Sequence, residues 1–109
     1  RRGENVICEV PVPLTEAVLG AEIEVPTVTG KATMKIPAGT QNGSVFRLRN
    51  LGFPRLYGHG KGDQLVQVKV VMPSRFTRQE RDLYEQINKA QDIANTPEVK
   101  KFRDDLSRR

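Results

Sequence analysis

The chain has 109 residues, a length that suits one domain with a single layered core. Its formal charge is +5 at pH 7, and Cys8 is its only cysteine, which excludes an internal disulfide and a cysteine-based zinc site. A single free thiol suits a reducing, cytoplasmic compartment. There is no long apolar run, no secretory signal and no initiator Met, so we expect no membrane span and a chain that is part of a longer protein.

The first element is a predicted edge strand. Four apolar residues share one parity and so lie on one face: Val6, Cys8, Val10 and Val12. Pro11 and Pro13 have no amide hydrogen, so this strand lies at the edge of a sheet or ends early. The spacing of the residues that follow predicts one or two helical turns over 14–19, and Gly20 ends them.

The next 16 residues predict a β-hairpin. Apolar residues alternate with Glu22 and Glu24 in its first strand and with Lys31 and Lys35 in its second. The inward-facing set is Ala21, Ile23, Val25, Ala32, Met34 and Ile36. Thr29-Gly30 supplies the turn, and opposite charges across the outer face help to set the register.

Two further strands are predicted on either side of a long loop. Residues 44–49 form the first, with Phe46 and Leu48 inward and Arg47 and Arg49 outward. Residues 65–72 form a nearly continuous apolar run that we interpret as the most buried strand. The Gly-rich residues 50–62 between them form the loop, and loops of that length often carry function.

Two helices are predicted after residue 76. Thr77 and Glu80 form a capping box, and the apolar residues of the first helix are Leu83, Ile87, Ala90 and Ala94, with Tyr84 beside them. Thr96 as N-cap and Pro97 as first residue open the second helix. Val99, Phe102 and Leu106 form its narrow apolar stripe. A helix of about a dozen residues is marginal alone in water, so the stripe needs a surface, on its own chain or on another.

The sequence contains no convincing catalytic constellation. His59, the only histidine, has no cysteine or second histidine nearby and is interpreted as a solvated loop residue. The glycines around Lys61 do not form a phosphate-binding loop, because a strand and not a helix follows them. Glu22 and Glu24 face lysines and form an ordinary charged surface. We therefore expect neither an enzyme nor a metal site.

A basic stretch leaves one alternative open. Arg47, Arg49, Arg55 and Lys61 are not interrupted by acids, so they are compatible with a basic β-domain that binds RNA or DNA. Elsewhere acidic and basic residues are interleaved. This interleaving makes a dedicated nucleic-acid surface the less favoured interpretation, with exposed charges serving solubility.

The order of short motifs resembles the last β-domain of DnaJ-type J-domain co-chaperones. The matching pieces include Glu9-Val10-Pro11-Val12, Leu19-Gly20, Val25-Pro26-Thr27, Ile36-Pro37, Gly39-Thr40-Gln41, Arg47-Leu48-Arg49, Gly60-x-Gly62-Asp63 and Met72-Pro73. The tail from Val99 to Leu106 is similar to the terminus of bacterial members. One departure is Arg49-Asn50-Leu51-Gly52, where the family usually has Arg-Gly-Lys-Gly. Asparagine tolerates a left-handed conformation, so the turn is expected to survive.

The resemblance implies a mainly β, β-sandwich-like DnaJ C-terminal domain with one short internal helix, followed by C-terminal helices. We place the β-rich domain at residues 1–75 and a helical dimerisation segment at residues 76–109. Full family members also carry a J domain that stimulates the partner chaperone DnaK, and many carry a zinc-binding region. Neither is present here, so no J-domain activity, metal or cofactor is expected of this chain.

Two sets of site residues follow from this interpretation. Clients, meaning unfolded polypeptides, are expected to bind along the exposed strand edges at Val6, Cys8, Val10, Ala21, Ile23 and Val25. A homodimer is expected to form through Leu83, Tyr84, Ile87, Val99, Phe102 and Leu106. In the alternative interpretation, these helical stripes cover their own β-domain. A DnaK-type chaperone would be a partner of the full-length protein only.

Overall fold

The computed structural model describes residues 5–54, 58 and 60–109. The chain divides after Pro73 into two compact units, residues 1–73 and 74–109, where the sequence placed the division after residue 75. In chain order the first unit contains β1 (Val6–Pro13), α1 (Leu14–Leu19), β2 (Ala21–Thr27), β3 (Gly30–Ile36), β4 (Val45–Leu48) and β5 (Gln64–Val71). The second contains α2 (Arg78–Ala90), a 3-10 turn (Ile93–Asn95) and α3 (Pro97–Ser107). The prediction of a mainly β domain with a short internal helix and C-terminal helices is confirmed.

The strands of the first unit form two sheets. One has the order β1-β5-β4, with β1 parallel and β4 antiparallel to β5, and the other is the antiparallel β2–β3 pair. Strand β5 is central in its sheet, and its side chains Val66 and Val68 are fully buried in the core. The parallel pairing was not predicted, since strands so far apart in sequence carry no local signal of their partner.

Strand β1 lies at the edge of its sheet, as its prolines predicted. The Val6 amide donates to the Asp63 carbonyl oxygen at 2.9 Å, so the even-numbered residues of β1 pair with β5. Successive residues of a strand direct their backbone groups to opposite edges, so the nitrogens of Pro11 and Pro13 face the unpaired edge, where no donor is needed.

The hairpin is confirmed, with the turn one residue earlier than predicted. Its strands extend from Ala21 to Thr27 and from Gly30 to Ile36, and Val28 and Thr29 form the turn. Lys31 Nζ lies 3.3 Å from Glu24 Oε2 on the outer face, as the opposed charges predicted. Both side chains are well exposed, so this pair contributes little to stability beyond favouring the register.

The two sheets enclose one apolar core. Its buried residues are Val12, Ala17, Ile23, Val25, Met34, Ile36, Val66 and Val68. Gln64 is also fully buried, and its Nε2 donates to Cys8 Sγ at 3.0 Å. The sequence did not predict a buried amide here, because glutamine is usually exposed.

The start of α2 follows the sequence prediction. The Glu80 amide donates to Thr77 Oγ1 at 3.1 Å, and the Thr77 amide donates to Glu80 Oε1 at 2.8 Å, which completes the capping box. The prediction that Ala94 continues this helix is wrong, since α2 ends at Ala90. The Asp92 side chain accepts from the Ala94 amide at 2.9 Å and starts a separate turn.

The start of α3 lies where Thr96 and Pro97 placed it, but Thr96 makes no side-chain cap. Its hydroxyl donates instead to the Ile93 carbonyl oxygen at 3.1 Å. The side chain therefore closes the preceding turn, and the first amides of α3 lack a side-chain acceptor at the N-cap.

The long loop is partly described. Asn50 adopts a left-handed conformation with φ of 64°, as its side chain predicted. Pro54 and Lys61 form an isolated antiparallel bridge. The predictions for Arg55 and His59 lie outside the described residues.

Candidate functional site

The candidate client-binding residues face the interior of the first unit. Ile23 and Val25 are buried, and the others, Val6, Cys8, Val10 and Ala21, are partly exposed. Their backbone amides are directed to a neighbouring strand. A client at these strands would therefore meet the intervening residues, whose amides and side chains face outward.

Prolines limit the outward-facing amides at the edges of β1 and β2. On β1, Ile7 and Glu9 offer N–H and C=O groups before Pro11 interrupts the donors. On β2, Pro26 has no N–H, so the pair it forms with Lys31 is not hydrogen-bonded. Alternation therefore directs the Glu22 and Glu24 amides outward. Each edge presents two donors to an added strand.

The candidate dimerisation residues are largely exposed in the single chain. Leu83 and Ile87 on α2 are 49% and 57% exposed, and Tyr84 is half-buried. The α3 stripe of Val99, Phe102 and Leu106 is 41%, 67% and 54% exposed. Each set recurs every three or four residues and so forms one continuous apolar stripe on its helix. Exposed apolar stripes of this kind are typical of helices that pack against another surface.

Helix α3 gains little stability from its own charges, although Glu98 lies favourably in its first turn. Asp104 and Asp105 lie in its last turns, where the negative end of the helix dipole disfavours acids. Lys100 and Lys101 pair with these acids at i,i+4, an exposed arrangement that contributes little. The 11-residue helix therefore depends on packing of its apolar stripe.

Some exposed apolar residues were not among the sequence candidates. Val18 and Leu19 end α1 and are 57% and 77% exposed, and Met72 and Phe76, near the junction of the units, are 71% and 50% exposed. Val18 fits the helical spacing that predicted α1 but is not buried there, and Met72 and Phe76 belong to no amphipathic repeat, so periodicity did not identify them as exposed. Single exposed apolar residues are common on protein surfaces, and these four, like Val45 at 59%, are recognised only from their exposure in the fold.

The basic stretch is partly neutralised within the described residues. Arg47 Nη1 donates to Asp63 Oδ2 at 2.9 Å, and the Asn50 amide donates to Asp63 Oδ1 at 3.0 Å. Arg49 and Lys61 are exposed. Asp63 therefore ties the start of the long loop to β5 and places an acid beside the basic residues.

We expect acid to release this loop. The hydrogen bond from the Asn50 amide, together with the nearby Arg47, lowers the pKa of Asp63 below its ordinary value of 3.8. A lowered carboxyl pKa contributes stability that is present above pH 3.8 and is lost as the pH falls through the lowered pKa. An NMR titration should show the Asn50 amide shifting together with the Asp63 carboxyl, and Asp63→Asn should abolish that step. A change in the Asn50 amide signal at the ordinary carboxyl pKa of 3.8 would contradict the proposed link between Asn50 and Asp63.

No helix in the described part of the chain is long and apolar enough to cross a lipid bilayer.

Comparison with known proteins places this chain in a family. The family model of the DnaJ C-terminal domain matches residues 1–73. Chaperone protein DnaJ of Shouchella clausii is 55% identical over 83 residues, which is 76% of this chain and 22% of the relative. The DnaJ proteins of Bacillus mycoides and Bacillus cereus are each 52% identical over 83 residues, covering 23% and 22% of their lengths. The chain spans about a fifth of the length of the curated relatives it matches. It belongs to the DnaJ C-terminal domain family.

Proposed function

We propose that the chain is the carboxy-terminal part of a protein-folding co-chaperone and is not an enzyme. Its second unit would join two copies, and its first unit would hold extended segments of unfolded protein. The observation that carries this proposal is the pair of exposed apolar stripes on α2 and α3 in a chain that belongs to the DnaJ C-terminal domain family.

Dimerisation is supported by the composition and exposure of the stripes. Leu83 and Ile87 on α2, and Phe102 and Leu106 on α3, leave large apolar side chains in water in the single chain. Burial against a second copy would remove that unfavourable hydration and supply the packing that α3 needs. A dimer also places two weak client sites on one body, which raises avidity without any new contact.

Client binding is supported by the unpaired edges of β1 and β2. An added strand would pair with the outward amides of Ile7 and Glu9, or with those of Glu22 and Glu24. Main-chain pairing is indifferent to side-chain identity, which suits a protein that meets many unfolded sequences. The exposed Val18 and Leu19 are separated from β2 only by Gly20 and would add apolar contact for a client there.

The remaining parts of the proposal concern the longer protein. Its relatives are named as DnaJ chaperones, and transfer of clients to a DnaK-type chaperone would take place in the cytoplasm through the complete protein. This chain would work without a metal or cofactor of its own. Nucleic-acid binding is the alternative, and the ion pair between Arg47 and Asp63 removes part of the basic surface it requires.

The first test is the solution mass by light scattering over a concentration series. We expect a dimer for the whole chain and a monomer for a version that ends at Asn95, because the truncation removes the stripe of α3. A dimer in both versions would show that the interface lies outside α3. A monomer in both would contradict dimerisation by this chain.

A second measurement separates the two binding functions. A co-chaperone should bind a denatured, reduced test protein with little dependence on salt. Binding of a generic oligonucleotide that falls steeply with salt, together with no binding of the denatured protein, would favour the nucleic-acid alternative instead.

A further inference from the structure

The outer edge of β3 differs from every other sheet edge in the described residues. Pro26 has no N–H, so its partner Lys31 is not at a hydrogen-bonded position of the β2–β3 pair. Because hydrogen-bonded and non-hydrogen-bonded positions alternate, the hydrogen-bonded residues of β3 are Ala32, Met34 and Ile36. Lys31, Thr33 and Lys35 therefore direct their N–H and C=O groups away from β2. No proline interrupts them, so this edge offers three consecutive donor and acceptor pairs.

The other edges are less complete. Outward donors are limited to two on β1 and two on β2, where prolines follow, and β4 is only four residues long. By main-chain geometry alone, β3 is the best template for an added strand in the described part of the chain.

The side chains of this edge carry positive charge. Lys31, Thr33 and Lys35 are all exposed on the outer face, whereas Met34 and Ile36 are buried on the inner face. Lysines on an edge hinder pairing with a neutral or basic strand, but a strand with acids opposite them removes that obstacle.

The acids of β2 do not cancel this charge for an added strand. A strand paired with β3 lies about 4.8 Å from it and about twice that distance from Glu22 and Glu24 on β2. Screening in physiological salt acts over about 8 Å, so the nearer lysines dominate. Lys31 does contact Glu24 at 3.3 Å, but with side-chain exposures of 73% and 65% that pair is weak and readily displaced.

We propose that the β3 edge binds an extended acidic segment of another protein by strand addition. Acids four residues apart would lie opposite Lys31 and Lys35, with a small or β-branched residue opposite Thr33. The two residues of the added strand that lie opposite Ala32 and Met34 would direct apolar side chains to the inner face. This site is separate from the client edges of β1 and β2 and does not depend on dimerisation.

The probe is a capped peptide with the order Ser-Glu-Val-Thr-Val-Glu-Ser, compared with an isomer in which lysine replaces both glutamates. We expect the acidic peptide to bind the 109-residue chain and to shift the NMR signals of the Lys31, Thr33 and Lys35 amides. Lys31→Glu with Lys35→Glu should weaken the acidic peptide by about tenfold and favour the lysine isomer, because two attractive cross-strand pairs become repulsive. The matched control is Lys69→Glu on the central strand β5, which should leave binding unchanged.

A backbone test complements the charge test. The Thr33 amide faces outward, so Thr33→Pro removes a donor at the edge without breaking the pairing with β2. We expect it to abolish binding, with circular dichroism used to verify the fold. An acidic peptide methylated at alternate amides, which cannot pair in a strand, tests the same point on the wild-type chain.

Three outcomes would overturn the proposal. Equal binding of the acidic and lysine peptides would remove the charge selection, and shifts confined to other strands would move the site. The third is a solution mass of the chain without peptide that increases with concentration, but does not increase for the variant with Lys31→Glu and Lys35→Glu. In that case the edge would bind a second copy of this chain. Loss of acidic-peptide binding in that variant with unchanged binding of a neutral denatured protein separates this site from the proposed client edges.

Discussion

Gly20→Ala is expected to lower the free energy of unfolding of the first unit by about 3 kcal/mol. Gly20 has a φ of +81°, and a Cβ atom there would lie 2.9 Å from the Ala38 amide nitrogen and 3.1 Å from the Ile36 carbonyl oxygen. Both atoms belong to the backbone and cannot rotate away. The substitution therefore combines an unfavourable conformation with a steric clash.

The clash has a large effect because several elements converge on Gly20. The residue is the C-cap of α1 and lies directly before β2, and its amide donates to the Glu16 carbonyl oxygen at 2.8 Å. The loop after β3 closes onto the same helix, through a hydrogen bond from the Thr40 amide to the Ala17 carbonyl oxygen at 2.9 Å. Displacing this loop would disturb the buried Ala17 and Ile36.

Gly39→Ala is the matched control. Gly39 also has a positive φ, +79°, but a Cβ atom there would have no atom within 4 Å. We expect a loss of only about 1 kcal/mol, from the conformation alone. Urea unfolding followed by circular dichroism measures both variants, and equal losses would show that the close approach at Gly20 contributes nothing.

Phe102→Ala with Leu106→Ala is expected to raise the dimer dissociation constant by roughly a thousandfold. The variant truncates four side chains in the proposed dimer, each contributing about 1 kcal/mol when buried. These two residues are 67% and 54% exposed in the single chain, so removing them should not unfold the first unit. Light scattering over a concentration series measures the change.

Val18→Ala with Leu19→Ala is the control for this variant. These residues are as exposed as Phe102 and Leu106 but lie on the first unit, so a similar loss of apolar surface should leave the dimer intact. If both double variants dissociate equally, the effect is non-specific. If neither dissociates, α3 is not the interface.

Elements defined by contacts close in sequence could be predicted from the sequence. The capping box at Thr77 and Glu80 needs residues only three apart, and the β2–β3 hairpin needs alternation on both sides of one turn. The left-handed Asn50 was likewise predicted from its side chain and its place in the motif. In each case the determining interactions are local, so the pattern is enough.

Predictions about the sites were less complete, because a strand's alternation shows which residues share a face but not where its backbone groups are directed. The sequence identified β1 and β2 as candidate client edges and selected their inward-facing residues, such as Ile23 and Val25. In the fold, the amides of those inward-facing residues are directed to a neighbouring strand. Only the amides of the residues between them face outward, where an added strand could pair with them. The end of α2 was also misplaced, because Asp92 captures the Ala94 amide where the apolar spacing continues.

The sequence by itself determined the fold class, the strand and helix order, and the amphipathic stripes of the C-terminal helices, because these depend on periodicity and short-range capping. Only the tertiary structure decided that β1 pairs in parallel with β5, that Gln64 is buried beside Cys8, and that β3 has an uninterrupted edge. These features depend on which distant segments share a core. That choice rests on the total burial of apolar surface by the whole chain, which no local pattern encodes.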